Sequence, residues 1–162
     1  MQPEFIMLIG PPGVGKSTWL KNFFATSPET LYAVISTDAL VEARMVEHNV
    51  DYTEAFSMVP KDESDQMVFN KLYGCLKQGY SIIIDQTNMD KITRAQKLAI
   101  VPDNYVKKAI AFETPEEVVR QRLLAPERVK SGKIIPEAVL NLMFSTYERP
   151  DTTEFDEITI IA

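Results

Sequence analysis

The chain is 162 residues long, 45% hydrophobic and 25% charged, and carries a net charge of −6. That length suffices for one sizeable core and is short for two, so residues 1–162 are expected to form a single domain. The acidic balance excludes a protein that coats nucleic acid through its overall field; any polynucleotide contact has to come from a local basic patch.

In chain order, short apolar runs alternate with helical patterns. Phe5 to Ile9 reads as a buried strand, and Lys16 to Ala25 as a helix with Trp19, Leu20, Phe23 and Phe24 on one side. Leu31 to Ile35 is a second strand, followed by a helix from Asp38 to about His48, which is an exposed residue at the helix end. A polar stretch, Asn49 to Pro60, leads to a helix over Asp62 to Lys77, which Gly79 ends. Ser81 to Ile84 is the third strand, and a helix from Asp90 to about Ile100 follows it. Strand Val106 to Phe112, helix Pro115 to Leu124, helix Pro136 to Tyr147 and strand Glu157 to Ile161 complete the series. The fold class that follows is α/β, with five strands in a mostly parallel sheet and helices on both faces. In such sheets ligands sit beyond the carboxyl ends of the strands.

The apolar runs are all far shorter than the roughly 20 residues of a membrane span, so no membrane partner is expected. The opening Met1-Gln2-Pro3-Glu4-Phe5 lacks the basic region of a signal peptide, and the single Cys75 reads as a core thiol. Both point to a cytoplasmic setting.

The turn after the first strand, Gly10-Pro11-Pro12-Gly13-Val14-Gly15-Lys16-Ser17, matches G-x-x-x-x-G-K-[ST], with Thr18 next. Glycines are needed there because backbone N–H groups must turn inward around a β-phosphate, and the following helix adds its N-terminal dipole. Lys16 is expected to reach the β- and γ-phosphates of ATP or another nucleoside triphosphate, and the Ser17 hydroxyl to coordinate Mg2+. This P-loop makes the expected fold that of the P-loop NTPases.

Two carboxylates stand at neighbouring strand ends. Asp85 closes the third strand and is either a metal residue, holding magnesium directly or through its water shell, or a turn aspartate. Asp38 follows Ser36-Thr37 and is either a general base that takes the proton of an attacking hydroxyl or a helix N-cap. A late basic segment holds Arg120, Arg122, Arg128, Lys130 and Lys133, broken by Pro126 and Gly132. It suits a mobile lid over the triphosphate, with Arg128 and Lys130 as the leading phosphate contacts, Arg122 and Lys133 behind them, and Arg120 last.

Taken together, Gly10-x-Pro12-Gly13-x-Gly15-Lys16-Ser17-Thr18-Trp19, Ser36-Thr37-Asp38, Asp85-Gln86-Thr87-Asn88 with Arg94 downstream, and Arg128-x-Lys130-x-Gly132-Lys133-Ile134-Ile135-Pro136 resemble the 5′-hydroxyl polynucleotide kinase domain of bacteriophages and related small P-loop kinases. The resemblance spans roughly residues 5 to 147 and implies catalytic roles for Lys16 and Asp38, with Asp38 the general base, the basic segment the lid, and Lys130 or Arg128 in the place of a catalytic arginine. It also implies ATP and Mg2+ as cofactors, a 5′-hydroxyl nucleic acid end as acceptor, and a host cytoplasm if the source is a phage. Members that hold a nucleotide's 3′-phosphate place an arginine shortly after the catalytic aspartate, whereas here the next arginine is Arg44. A small hydroxyl acceptor, or a slowly hydrolysing nucleotide switch, stays open beside the polynucleotide reading.

Overall fold

The computed structural model describes residues 2–27, 31–130 and 132–162. Among them the strands β1 (Glu4–Ile9), β2 (Tyr32–Ser36), β3 (Ser81–Asp85), β4 (Val106–Phe112) and β5 (Glu157–Ile161) form one sheet in the order β2-β3-β1-β4-β5. Every neighbouring pair is parallel. The glycine-rich turn therefore leaves the central strand, with a neighbour on each side.

Alternation along β1 explains why its sequence is continuously apolar. Phe5, Met7 and Ile9 face one core with Ile82, Ile84, Val68 and Leu72, while Ile6 and Leu8 face a second with Ile83, Ile110, Val119 and Leu123. Both faces are covered from Phe5 to Ile9, so those five positions are all apolar. The first core is roofed by α4 (Lys61–Lys77), which supplies Val68 and Leu72. The second is roofed by α6 (Glu116–Leu123), by Leu140 of α8 (Glu137–Thr146) and by Trp19, Leu20 and Phe23 of α1 (Lys16–Thr26). Trp19 stacks on Phe23 with centroids 4.9 Å apart, so it is a packing residue. Phe24, expected on the same face, is 39% exposed. Cys75 is partly buried against the first core.

The remaining helices are α2 (Asp38–His48), α3 (Tyr52–Ser57), α5 (Lys91–Leu98) and α7 (Pro126–Lys130). His48 ends α2, exposed and 3.9 Å from Glu47. Two of these helices depart from the sequence reading. The polar stretch from Asn49 to Pro60 contains α3, started by Asp51, whose Oδ1 accepts from the Glu54 N–H at 2.8 Å. The basic segment expected as a loop is helical over Pro126–Lys130. Among the described residues no helix is long and apolar enough to cross a membrane.

Candidate active site

The P-loop leaves β1 at Gly10, whose N–H donates to Thr87 O at 2.9 Å, tying it to the turn after β3. Gly13 has φ +83, and a Cβ there would lie 3.1 Å from Leu123 Cδ2, so a side chain at that point would strain the backbone and press on Leu123. Arg122 donates to Gly13 O at 3.2 Å and Thr114 Oγ1 to Val14 O at 3.4 Å, bracing the loop from the β4 side. Pro11 and Pro12 fill the turn, and Ser17 and Thr18 lie exposed on the first turn of α1.

Lys16 is the first residue of α1, and its Nζ donates to Gly10 O at 2.7 Å and to Gln86 O at 3.3 Å. Burial pushes the ammonium down to about 8, while the Asp85 and Asp38 carboxylates pull it back up. Ser36 pairs in register with Asp85 on the neighbouring strand, so Asp38, two residues further on, and Asp85 stand at adjacent strand ends beside Lys16. Burial likewise raises Asp85 above the ordinary carboxylate range, the Lys16 charge opposing and the Asp38 charge adding.

The Asp85 turn is braced from below. Asn88, buried with φ +49, donates from Nδ2 to Leu8 O at 2.8 Å and accepts from the buried Lys97 ammonium. Arg94 is fully buried: Nε and Nη2 fork onto Glu154 at 2.8 and 3.3 Å, and Nη1 donates to Asn88 O and Met89 O at 3.0 Å. Arg94 thus shapes the turn and does not face the cleft. Next to Asp85, Gln86 Oε1 is buried without a hydrogen-bond partner among the described residues. The Ser17 hydroxyl, the Asp85 carboxylate and this unpaired amide oxygen are hard oxygen donors of the kind magnesium takes alongside phosphate oxygens. Among the described residues no group of three or more His, Cys, Asp or Glu could hold a metal.

Asp38 opens α2, its N–H donating to Ser36 Oγ at 3.1 Å. The N-cap is Thr37, so the Asp38 carboxylate is not spent on capping. Its Oδ1 instead accepts from the Tyr52 hydroxyl at 2.8 Å. Burial and this bond raise the Tyr52 phenol well above its usual value.

The late basic residues separate by location. Arg128, half-buried on α7, feels Tyr52 and Asp38, which oppose the loss of charge that burial favours. Lys130 is exposed at the end of α7. Lys133 Nζ lies 5.0 Å from the centroid of the Tyr52 ring. Arg120 binds Glu116 and Asn141 and covers the Phe144 ring, so its guanidinium is engaged by these partners. Sequence reasoning missed Tyr52 and Gln86. The pattern Asp51-x-x-Glu54 was the signal for a helix that brings Tyr52 in.

Comparisons with known proteins bear on the fold and the family. The chain is 24% identical to mouse heterogeneous nuclear ribonucleoprotein U-like protein 2 over 165 aligned residues, covering 96% of the chain and 21% of that protein. It is also 24% identical to an Acanthamoeba polyphaga mimivirus protein named for polynucleotide phosphatase and kinase activities, covering 98% of the chain and 33% of that protein. The chain therefore spans about a fifth to a third of the length of these curated relatives. Among solved structures, a fungal RNA kinase superposes with a TM-score of 0.61 at 14% identity, over 100% of this chain and 76% of that one. A gluconokinase from Sinorhizobium meliloti superposes with a TM-score of 0.55 at 16% identity, over 99% of this chain and 83% of that one. These likenesses give the fold of the P-loop kinases. The family model described as an AAA domain matches residues 5–150, nearly the whole chain, and the protein belongs to that family.

Proposed function

We propose that this chain transfers the γ-phosphate of ATP to a hydroxyl, with the 5′-hydroxyl of a polynucleotide as the acceptor. The observation that carries the proposal is the placement of Asp38: an uncapped carboxylate, positioned by Tyr52, across the same cleft as the P-loop lysine. Asp38 takes the proton of the acceptor hydroxyl, the acceptor oxygen forms its bond to the γ-phosphorus, and the bond from that phosphorus to the ADP oxygen breaks. Lys16 and the backbone N–H groups of residues 13–18 hold the β- and γ-phosphates, and Arg122 sits beside them at Gly13. Arg128 and Lys130 stabilise the charge of the transferring group, with Arg128 the better placed for it. Ser17 and Asp85 would hold magnesium, which supplies charge neutralisation on the phosphates when bound.

The polynucleotide acceptor is supported by the mimivirus relative and by the fungal RNA kinase likeness. A small hydroxyl acceptor is the second reading, and one contact favours it. Arg44, the first arginine after Asp38, is engaged with Glu63 at 2.6 Å and Glu47 at 3.2 Å, so it is not free to take an acceptor phosphate. Transfer of labelled γ-phosphate to a panel of 5′-hydroxyl oligonucleotides, nucleosides and small polyols tests the proposal. Label on the oligonucleotides upholds it, label on a polyol alone moves the acceptor to a small molecule, and free phosphate alone leaves a nucleotide hydrolase.

A further inference from the structure

Residues 51–53, at the start of α3, all face the lid. The Thr53 N–H donates to Gly132 O at 3.2 Å, its hydroxyl donates to the same carbonyl, and Thr53 Oγ1 accepts from the Ile134 N–H at 3.2 Å. Asp51 packs against Gly132 so closely that an added Cβ would come within 2.7 Å of the Asp51 Cβ. Between them, Tyr52 carries Lys133 over its ring and directs its hydroxyl onto Asp38. A single turn of helix thus joins the lid to the carboxylate.

We propose that Tyr52 is the positioning residue of the site: its hydroxyl fixes the Asp38 carboxylate, and α3 latches that hydroxyl to the lid, so that the seating of the lid sets the base. The inference rests on the reading of Asp38 as the base. A carboxylate at the start of a helix turns freely about its last torsion, and only an oxygen aimed at the acceptor is useful. With Oδ1 held by Tyr52, Oδ2 is left for the acceptor proton. The phenol stays protonated through the neutral range, so it donates to Asp38 and does not compete for that proton. Any movement of residues 132–134 away from α3 breaks the Thr53 bonds and withdraws Lys133 from the Tyr52 ring, which frees the phenol and then the carboxylate. An unlatched lid would leave bound ATP facing a disordered base, a device that suppresses transfer to water until the lid is seated.

The test uses Tyr52→Phe, Thr53→Val and the double variant in the full chain, with kcat and KM measured for ATP and for a 5′-hydroxyl oligodeoxynucleotide. Tyr52→Phe keeps the ring and its Lys133 contact and loses only the hydroxyl. Thr53→Val keeps the side-chain shape and the backbone N–H bond to Gly132 O but loses both hydroxyl bonds of the latch. Each single variant should lower kcat about tenfold or more with both KM values within about twofold, the pattern of a lost transition-state interaction. The double variant should be no slower than the slower single, because both changes break one linkage. Fold-changes that multiply in the double variant, or a raised KM at unchanged kcat, would overturn the proposal. If the unaltered chain labels no hydroxyl at all, the kinase reading fails, and hydrogen exchange decides the linkage. Faster exchange of the Leu40 and Val41 amides, which bond to Thr37 O in the first turn of α2, should follow from Thr53→Val; unchanged exchange there would refute it.

Discussion

Asp51 occupies the space in which a side chain at Gly132 would begin, and Gly132 itself has φ +77. Gly132→Ala therefore meets two obstacles at once, a left-handed backbone costing about 1 kcal/mol and a contact no Cβ can make. The predicted result is a lid that no longer seats on α3: kcat falls while ATP affinity, held by the P-loop, stays within about twofold. Steady-state kinetics with direct ATP titration check this, and an Ala variant with unchanged kcat would show that the lid needs no such fit.

Lys97 gives a pH signature separate from catalysis. Burial pushes its ammonium from its usual value down to about 8, although Asp65 and Asp90 favour the charge. In the unfolded chain the group ionises near 10.5, so between about 8 and 10.5 the unfolded state binds more protons than the folded one. Stability then rises with pH across that window, and below pH 8 the full cost of the buried charge is present. The size is on the order of 3 kcal/mol for a shift of this extent. Denaturant titrations of the unaltered chain and of Lys97→Met, compared at pH 7 and pH 10, should show a larger gain in the former. Lys16 contributes the same trend to both proteins, so the difference isolates Lys97.

Arg94→Met should be among the most damaging single changes away from the P-loop. Its guanidinium satisfies Glu154, which is only 11% exposed, together with two carbonyls of the turn after β3. Removing one partner of such a pair costs about 3–5 kcal/mol. For a domain of this size that corresponds to a melting temperature lower by roughly 10 °C. A thermal shift near zero would mean that Glu154 and the turn find other partners.

Lys16→Ala and Asp85→Asn separate nucleotide from metal. The Lys16 ammonium is bonded to two carbonyls and lies outside both apolar cores, so its loss should leave the fold intact and abolish nucleotide binding or turnover. Asp85→Asn should instead raise the magnesium concentration needed for half-maximal turnover, about tenfold or more, at a nearly unchanged maximum. A magnesium optimum that does not move would take Asp85 out of the metal's surroundings.

The parts of this molecule written in local pattern were legible before the structure. The unbroken apolar run at Phe5 to Ile9 announces a strand buried on both faces, and the glycine spacing before Lys16 announces a phosphate turn, because each depends only on neighbours in sequence. The helix Tyr52–Ser57 was hidden by the polar character of its surroundings, since six residues are too few for a periodic signal. Its role was harder still to see: the bond from Tyr52 to Asp38 joins two helices 14 residues apart, and the latch from Thr53 to Gly132 spans 79. No spacing rule reports contacts of that kind. The aspartate was legible as a candidate base, and the device that aims it was not.

In the proposed reaction Asp38 acts as base while the P-loop holds the nucleotide. Asp38→Asn keeps the side-chain shape and its oxygen facing the Tyr52 hydroxyl but cannot take a proton from the acceptor. The decisive measurement is single-turnover transfer of labelled γ-phosphate to a 5′-hydroxyl oligonucleotide, with ATP affinity measured on the same protein. The account predicts transfer slower by about 100-fold or more with ATP affinity within about twofold. Transfer at the unaltered rate, accompanied by weakened ATP binding, would contradict it and place Asp38 among the nucleotide contacts.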